Sequence, residues 1–346
     1  MKILIVTLYG NNNFGNKLQN YALQEYLKKI NKNNEVFTFV PKYHNIKTIL
    51  YNLIMKFDSR GKKFYKFNSN INYYKKKIDI NNPKIDESIN YLVYGSDQIW
   101  NTNFEGKYNF FYGNCLEELK KISYAASFGM DYVDSNYIDF YKKSLKKFKA
   151  ISVREDKGKE IVEKLTSRKD IEVLIDPTML LSVDEWNKII KKPKLLNRIG
   201  DKKFILNYFL GELSSDKKSE IDRIAKENDC FIINILDKND PFYSCGPSEF
   251  LYLEKNAFLI CTDSFHSSVF AILFNKPFIV FDREQKKVKN MSSRIDTLIN
   301  KFKLKNRKFN GKSITSENLE HDYNEAYIIL EKEIKKTEVF LKNSLK

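Results

Sequence analysis

The chain has 346 residues, 42% of them hydrophobic, and 60 Lys+Arg against 44 Asp+Glu give it a formal net charge of +16. This length and apolar content exclude a disordered chain and leave room for two domains, each burying its own core. A membrane-crossing helix needs roughly 18–20 consecutive apolar residues, and no such run occurs. The opening "MKILIVTLYGNNN" is too short in its apolar part for a signal peptide, so a cytoplasmic protein is expected. Cys115, Cys230, Cys245 and Cys261 are scattered, with no CxxC and no histidine at ligand spacing, so neither a disulfide framework nor a metal site is expected. The cations are nearly all lysine and spread over the chain, as on a solvated surface, and no nucleic-acid motif accompanies them. A basic field still favours anionic substrates.

In chain order, "KILIVTLY" reads as a buried strand and "NKLQNYALQEYLKKI" as an amphipathic helix, joined by the glycine-containing loop "GNNNFG". Further strands are expected at 35–40, 91–95, 121–127, 150–153 and 173–176, with helices at 137–148 and 156–165, an alternation that implies a mostly parallel sheet. Residues 43–80 break the alternation with mixed lysines and aromatics and are read as a basic insertion. After "KKPKLLNRIGDKK" the pattern restarts with strands at 204–210, 230–236, 257–260 and 277–281 and helices at 215–228, from 247 and from about Ser264. The expected architecture is α/β, two Rossmann-like domains facing a cleft: 1–195, 196–312, and a C-terminal segment 313–346 whose helix packs back on the first domain.

Ligands of open parallel sheets bind beyond the carboxyl ends of the strands, so those loops supply the candidate residues. "GNNNFGNK" nearly matches a phosphate-cradling loop, with its lysine displaced by one place; Asn12 and Gly15 are candidate ligand contacts, and a plain tight turn is the alternative. "GSDQIWN" offers Ser96, Asp97, Gln98 and Asn101 around Trp100, which is suited to stacking on a sugar; a polar turn with Trp100 in the core competes. Asp97 is also a candidate catalytic carboxylate, and Ser127 closes the next strand. Arg154 follows a strand directly and can clamp a carboxylate or phosphate, unless it pairs with Glu155 or Asp156. Arg294 stands at a helix start, with Asp296 as its alternative partner.

"CTDSFHSS" is the richest segment. Thr262 or Asp263 can cap a helix whose first turn then holds His266, where unpaired amides and the helix dipole attract anions. Asp263 and Ser264 are candidate binding residues and His266 a candidate proton-transfer group; a capping-region histidine without chemistry is the alternative.

The segments "YGNNNFGNKLQNYALQEYL", "YLVYGSDQIWN", "SYAASFG", "ISVREDKG", "IDPTMLL", "GPSEFL", "CTDSFHSSVFAILFNKPFIVF" and "SSRIDTLI" together resemble the polysaccharide pyruvyl transferase family. The resemblance implies a GT-B-like pair of Rossmann domains and transfer of pyruvyl from phosphoenolpyruvate to a sugar hydroxyl pair, giving a ketal on a capsular or exopolysaccharide glycan or its lipid-linked precursor. It implies no cofactor beyond the donor. His266 matches the family's functional histidine and Arg154 its strand-end arginine; Ser264 stands where some members have arginine, which leaves two alternatives: Arg154, Arg294 or Arg283 supplies the charge instead, or the donor differs from phosphoenolpyruvate. The competing readings are a GT-B glycosyltransferase using a nucleotide sugar and a non-catalytic nucleic-acid- or anion-binding protein. The basic insertion, with Lys62, Lys63, Lys75, Lys76 and Lys77 among aromatics, is expected to contact an anionic membrane at the inner face of the plasma membrane, or the diphosphate of a lipid-linked acceptor.

Overall fold

The computed structural model describes residues 1–101, 108–114, 116, 118–130, 132–283 and 293–346, so Cys115 lies outside the described residues. The chain divides into two compact units: Met1–Asp58, Asn68–Leu180 and Lys332–Lys346 form the first, Ser59–Phe67 and Leu181–Glu331 the second.

The first unit begins with β1 (Lys2–Val6), whose apolar run is buried on both faces as the centre of a parallel sheet requires. Asn13 caps α1 (Phe14–Ile30) by accepting from the Asn16 amide at 3.0 Å, and Lys28 and Lys29 end the helix where its dipole favours cations. β2 (Glu35–Pro41) leads to α2 (Ile46–Phe57). The next helix, α3 (Ser59–Phe67), belongs to the second unit. β3 (Tyr73–Ile78), β4 (Tyr91–Gly95), β5 (Lys120–Ala126), α4 (Ile138–Leu145), β6 (Ala150–Val153), α5 (Asp156–Thr166) and β7 (Glu172–Val173) complete the first unit's chain order. Its sheet is parallel with order β3-β2-β1-β4-β5-β6-β7, so the topological switch lies between β1 and β4. Gly95 ends β4 at φ +154, and a Cβ there would stand 1.8 Å from the Tyr124 carbonyl oxygen, which only glycine avoids.

The second unit has β8 (Phe204–Tyr208), α6 (Ser215–Glu227), β9 (Phe231–Asn234), α7 (Pro247–Asn256), β10 (Leu259–Thr262), α8 (Phe265–Leu273), β11 (Phe278–Val280) and α9 (Ser293–Lys301). The sheet order β11-β10-β8-β9, again parallel, places its switch between β8 and β10. The last helix, α10 (Asn324–Ser344), joins the first unit from Lys332 onward, where Lys336 donates to the Val173 carbonyl at 3.3 Å and pairs with Glu172 at 2.7 Å.

Two expectations change. The 43–80 stretch is not one insertion: β3 extends the first sheet by pairing with β2, while α3 is part of the second unit. There Phe64 is fully buried, Arg60 donates to the Tyr243 carbonyl at 2.9 Å, and Lys63 pairs with Glu249 at 2.7 Å. Residues 181–195, expected to close the first domain, pack in the second, with the Trp186 ring edge-on to Phe270 at 5.2 Å and the Lys191 amide on the Ser248 carbonyl.

Candidate active site

At the first unit's switch, the turn after β1 and the start of α1 meet the loop after β4. The Asn16 amide group donates to Asp97 Oδ2 at 3.0 Å and to the Leu8 carbonyl at 2.7 Å; Gln19 accepts from the Ser96 amide at 3.1 Å and donates to Thr7 Oγ1 at 2.9 Å. Asp97 also takes the Gln98 amide on Oδ1 at 2.8 Å. Beyond the ends of β6 and β7, Arg154 pairs with Asp176 at 2.7 Å, their side chains 1% and 0% exposed. The same Asp176 oxygen accepts from Ser96 Oγ at 3.0 Å, and its other oxygen takes the Thr178 amide and hydroxyl. Glu155, fully buried, holds Ser127 Oγ and the amides of Phe128 and Gly129 on one oxygen.

This network reassigns several expected contacts. Arg154 is buried against Asp176, a partner 22 residues away, so its guanidinium is a brace between the loops after β6 and β7. Ser96 and Ser127 are fully buried braces. Trp100 is a core residue, 0% exposed, stacked on Tyr112 at 5.8 Å and edge-on to Phe148, so it offers no sugar platform. Gly15 is the second residue of α1 and buried, not a loop glycine. Asn12 is exposed, while Asn101 is buried and Asp97 and Gln98 retain only a narrow exposure at 9% and 8%.

The lysine of "GNNNFGNK" has a different place from the phosphate-cradling one. Lys17 is buried in the first turns of α1, its Nζ donating to the Tyr73 hydroxyl at 2.8 Å and lying over the rings of Tyr9 and Tyr73 at 5.2 and 5.4 Å. Desolvation pulls its ammonium from 10.5 down to about 7 and pushes the Tyr73 phenol up.

At the second unit's switch, Asp263 follows β10 and reaches the turn after β8. Its carboxylate accepts the Leu210 and Gly211 amides at 2.7 and 2.8 Å and Arg283 Nε at 3.0 Å, while Arg283 also donates to the Asp263 carbonyl at 3.0 Å. Thr262 donates to the Tyr208 carbonyl at 2.7 Å and receives the Ser264 amide at 2.9 Å, which fixes the backbone entering α8. Ser264 is the N-cap, and its side chain makes no capping bond. His266 therefore stands in the first turn of α8, 8% exposed, with its ring perpendicular to that of Phe265 at 5.4 Å. Behind that turn, Ser267 donates at 2.6 Å to Glu254 of α7, whose carboxyl is pushed well above its usual range by full burial. Arg294 is buried in the first turn of α9, and Asp296 accepts from Lys308 at 3.2 Å.

Asp263, Ser264, His266 and Arg283 are thus brought together at one strand-end turn. Arg283 lies three residues beyond the end of β11, in the same kind of post-strand position as Arg154. Glu254, Glu155 and Asp176 carry no comparable signal, because partners 13, 28 and 80 residues away define their roles.

Residues 13–285 match the polysaccharide pyruvyl transferase family. The chain belongs to this family. The matched region runs from the cap of α1 to just beyond Arg283, so it includes the second switch with His266, and α1 and the loop after β4 at the first, and ends before Arg294. No curated protein matches the chain in sequence. Among solved structures, it is similar to UDP-N-acetylglucosamine 2-epimerase from Rickettsia bellii, with a TM-score of 0.53 and 12% identity over 100% of this chain and 97% of that one. It is also similar to UDP-GlcNAc 2-epimerase from Neisseria meningitidis bound to UDP-GlcNAc, with a TM-score of 0.50 and 13% identity over 97% and 100% of the two chains. At these identities the likeness is one of fold: this pyruvyl transferase family member is a GT-B-like pair of Rossmann-type units.

Proposed function

We propose that the chain is a ketal pyruvyltransferase that moves the pyruvyl group of phosphoenolpyruvate onto two hydroxyls of a sugar during surface-glycan biosynthesis, with the donor as its only small-molecule requirement. The observation that carries this reading is the turn after β10, where Asp263, paired with Arg283, lies three residues ahead of His266 in the first turn of α8, all inside the family match. Ser264 replaces the cation some relatives place there, and Arg283 supplies one from the next strand.

The reaction needs a proton at the donor's methylene carbon, an oxocarbenium-like centre at the adjacent carbon, and two successive hydroxyl additions with loss of phosphate between them. His266 as imidazolium delivers the first proton; as imidazole it then removes the proton of the attacking hydroxyl, so one side chain ends the addition as it began. The carbon–oxygen bond to phosphate breaks in the second stage, and closure by the neighbouring hydroxyl releases the last proton. Arg283 is suited to the donor's carboxylate or phosphate, since Asp263 fixes the guanidinium plane and α8's amide-rich end adds to the positive field.

The test incubates the full chain with carbon-labelled phosphoenolpyruvate and a panel of nitrophenyl and lipid-linked glycosides. Label in the glycan with one phosphate released per ketal is the expected result. Consumption of a UDP-sugar with release of UDP, and no transfer of label, would assign glycosyl transfer instead.

A further inference from the structure

A helix on the surface of a water-soluble unit normally buries its apolar stripe and exposes its polar face. In α2 the arrangement is reversed. Ile46, Ile49, Leu50, Leu53, Ile54 and Phe57 recur at helical spacing along one face and are 79, 50, 54, 49, 58 and 71% exposed. The residues of the opposite face, Thr48, Asn52 and Met55, are the half-buried ones, and no residue of the helix is fully buried. Outward apolar side chains in this number form a contiguous patch of the kind that marks an interaction surface.

Charge indicates which surface. By helical geometry Lys47 and Lys56 lie on the two edges of the stripe, and both are exposed. Residues 42–57 contain three lysines and no acid. The chain leaves β2 for α2 at a basic corner of the sheet: the Lys42 amide bonds the Ile78 carbonyl, Lys77 pairs with Val40 in the strand register, and Lys75, Lys76 and Lys77 are exposed on β3. An apolar face bordered by lysines is the pattern of a helix lying in the interface of an anionic bilayer, its stripe in the acyl boundary and its lysines at the headgroups. At 12 residues it cannot cross one, and among the described residues no helix is long and apolar enough to do so.

We infer that α2 is an in-plane anchor that docks the first unit onto an anionic lipid bilayer. This narrows the surface expected from the 43–80 segment: α3, with buried Phe64 and Phe67 and a paired Lys63, contributes nothing to it.

The test is co-sedimentation of the full chain with phosphatidylcholine vesicles, with and without about 30% phosphatidylglycerol, at low and high salt. The vesicles carry neither donor nor acceptor, so the outcome is independent of the transfer chemistry. Wild type is expected to sediment with the anionic vesicles and to be released in part by salt, because the lysines are screened while the apolar stripe is not. The Ile49→Asn/Leu53→Asn/Phe57→Asn variant, altered only at exposed positions, should lose at least tenfold in partitioning while keeping its melting temperature. Lys47→Gln/Lys56→Gln should lose the preference for anionic vesicles. Wild type remaining in the supernatant at low salt, or equal sedimentation of the triple variant, would overturn the assignment. A dimer that the triple variant abolishes, with no vesicle binding, would overturn it too and give the face to a second copy of the chain.

Discussion

The two switch points share a plan and differ in how far they are sealed. Each ends on an aspartate after the strand next to the switch, and each aspartate reaches across to the element that follows the first strand: Asp97 to Asn16, Asp263 to the Leu210 and Gly211 amides. Each unit also pairs a strand-end arginine with an aspartate. Arg154 and Asp176 are 1% and 0% exposed in their side chains, whereas Arg283 retains 16% beside a 2% exposed Asp263. The same ion-pair chemistry thus stands at two depths: the Arg154–Asp176 pair is enclosed and ties the loops of its sheet together, and the Arg283–Asp263 pair keeps part of its arginine at the surface, which is why the proposed function gives the donor to Arg283.

The sealed pair should register in stability. Removing one partner of a buried ion pair strands the other, at a cost of about 3–5 kcal/mol, so Arg154→Ala should lower the unfolding free energy by that order, read as a shift of the denaturant midpoint. Arg154→Met/Asp176→Asn should recover part of the loss, since the amide carries no charge to be orphaned and its oxygen can still accept from Thr178. A midpoint within experimental error of wild type for Arg154→Ala would remove the distinction between the two pairs.

The open switch should register in rate. General acid–base groups contribute about a hundredfold or more, near 2.7 kcal/mol of barrier, so His266→Asn should lose at least that in turnover with an unchanged melting temperature. Full turnover in the folded variant would return His266 to a capping-region role. Next in size is Arg283→Lys, which keeps the charge but loses the fork: donor KM should rise about tenfold with kcat less affected. An Arg283→Lys enzyme with wild-type donor KM, or one that fails only by unfolding, would place Arg283 with Arg154 among the braces.

The outline of both sheets was legible in the sequence because central parallel strands are apolar on both faces, as in "KILIV" and "AFLI", and the intervening helices carry their own period. The "CTDSFHSS" turn was legible for the same reason, since strand end and helix start fix where His266 falls. Burial of polar residues was not. Trp100 and Arg154 stand at strand ends that look like ligand-binding positions, and only contacts with Tyr112, Phe148 and Asp176, distant along the chain, close them off. The 43–80 stretch hid its division for a related reason: α2 and α3 both mix lysines with aromatics, and what gives α3 to the second unit is a set of partners, Glu249 and Tyr243, supplied from nearly two hundred residues away.

A third enclosed cation sharpens the contrast between arginine and lysine, and per pH unit near neutrality its expected effect is the smallest. Arg154 has a carboxylate to keep its charge; Lys17, 2% exposed, has one phenol oxygen and two ring faces. Ring faces and a neutral hydroxyl offset part of the lost hydration but not all of it, so the proton is held weakly, with a pKa of about 7. The unfolded chain keeps its lysine near 10.5. Between those values the unfolded state binds the proton that the folded state has released, so stability rises with pH across this window. Below about 7 the lysine is charged in both states and the burial penalty is felt in full; above 10.5 it is neutral in both and the penalty is gone. The slope is at most about 1.4 kcal/mol per pH unit, and near pH 7, where Lys17 is half titrated, about half of that. Urea midpoints at pH 7, 8 and 9 should climb in wild type by more than in Lys17→Met, which removes the titrating group and fills the same space. Parallel pH profiles for the two proteins would mean that Lys17 keeps its proton in the folded state, and that the aromatic pair and Tyr73 hydroxyl hold a charge as well as Asp176 does.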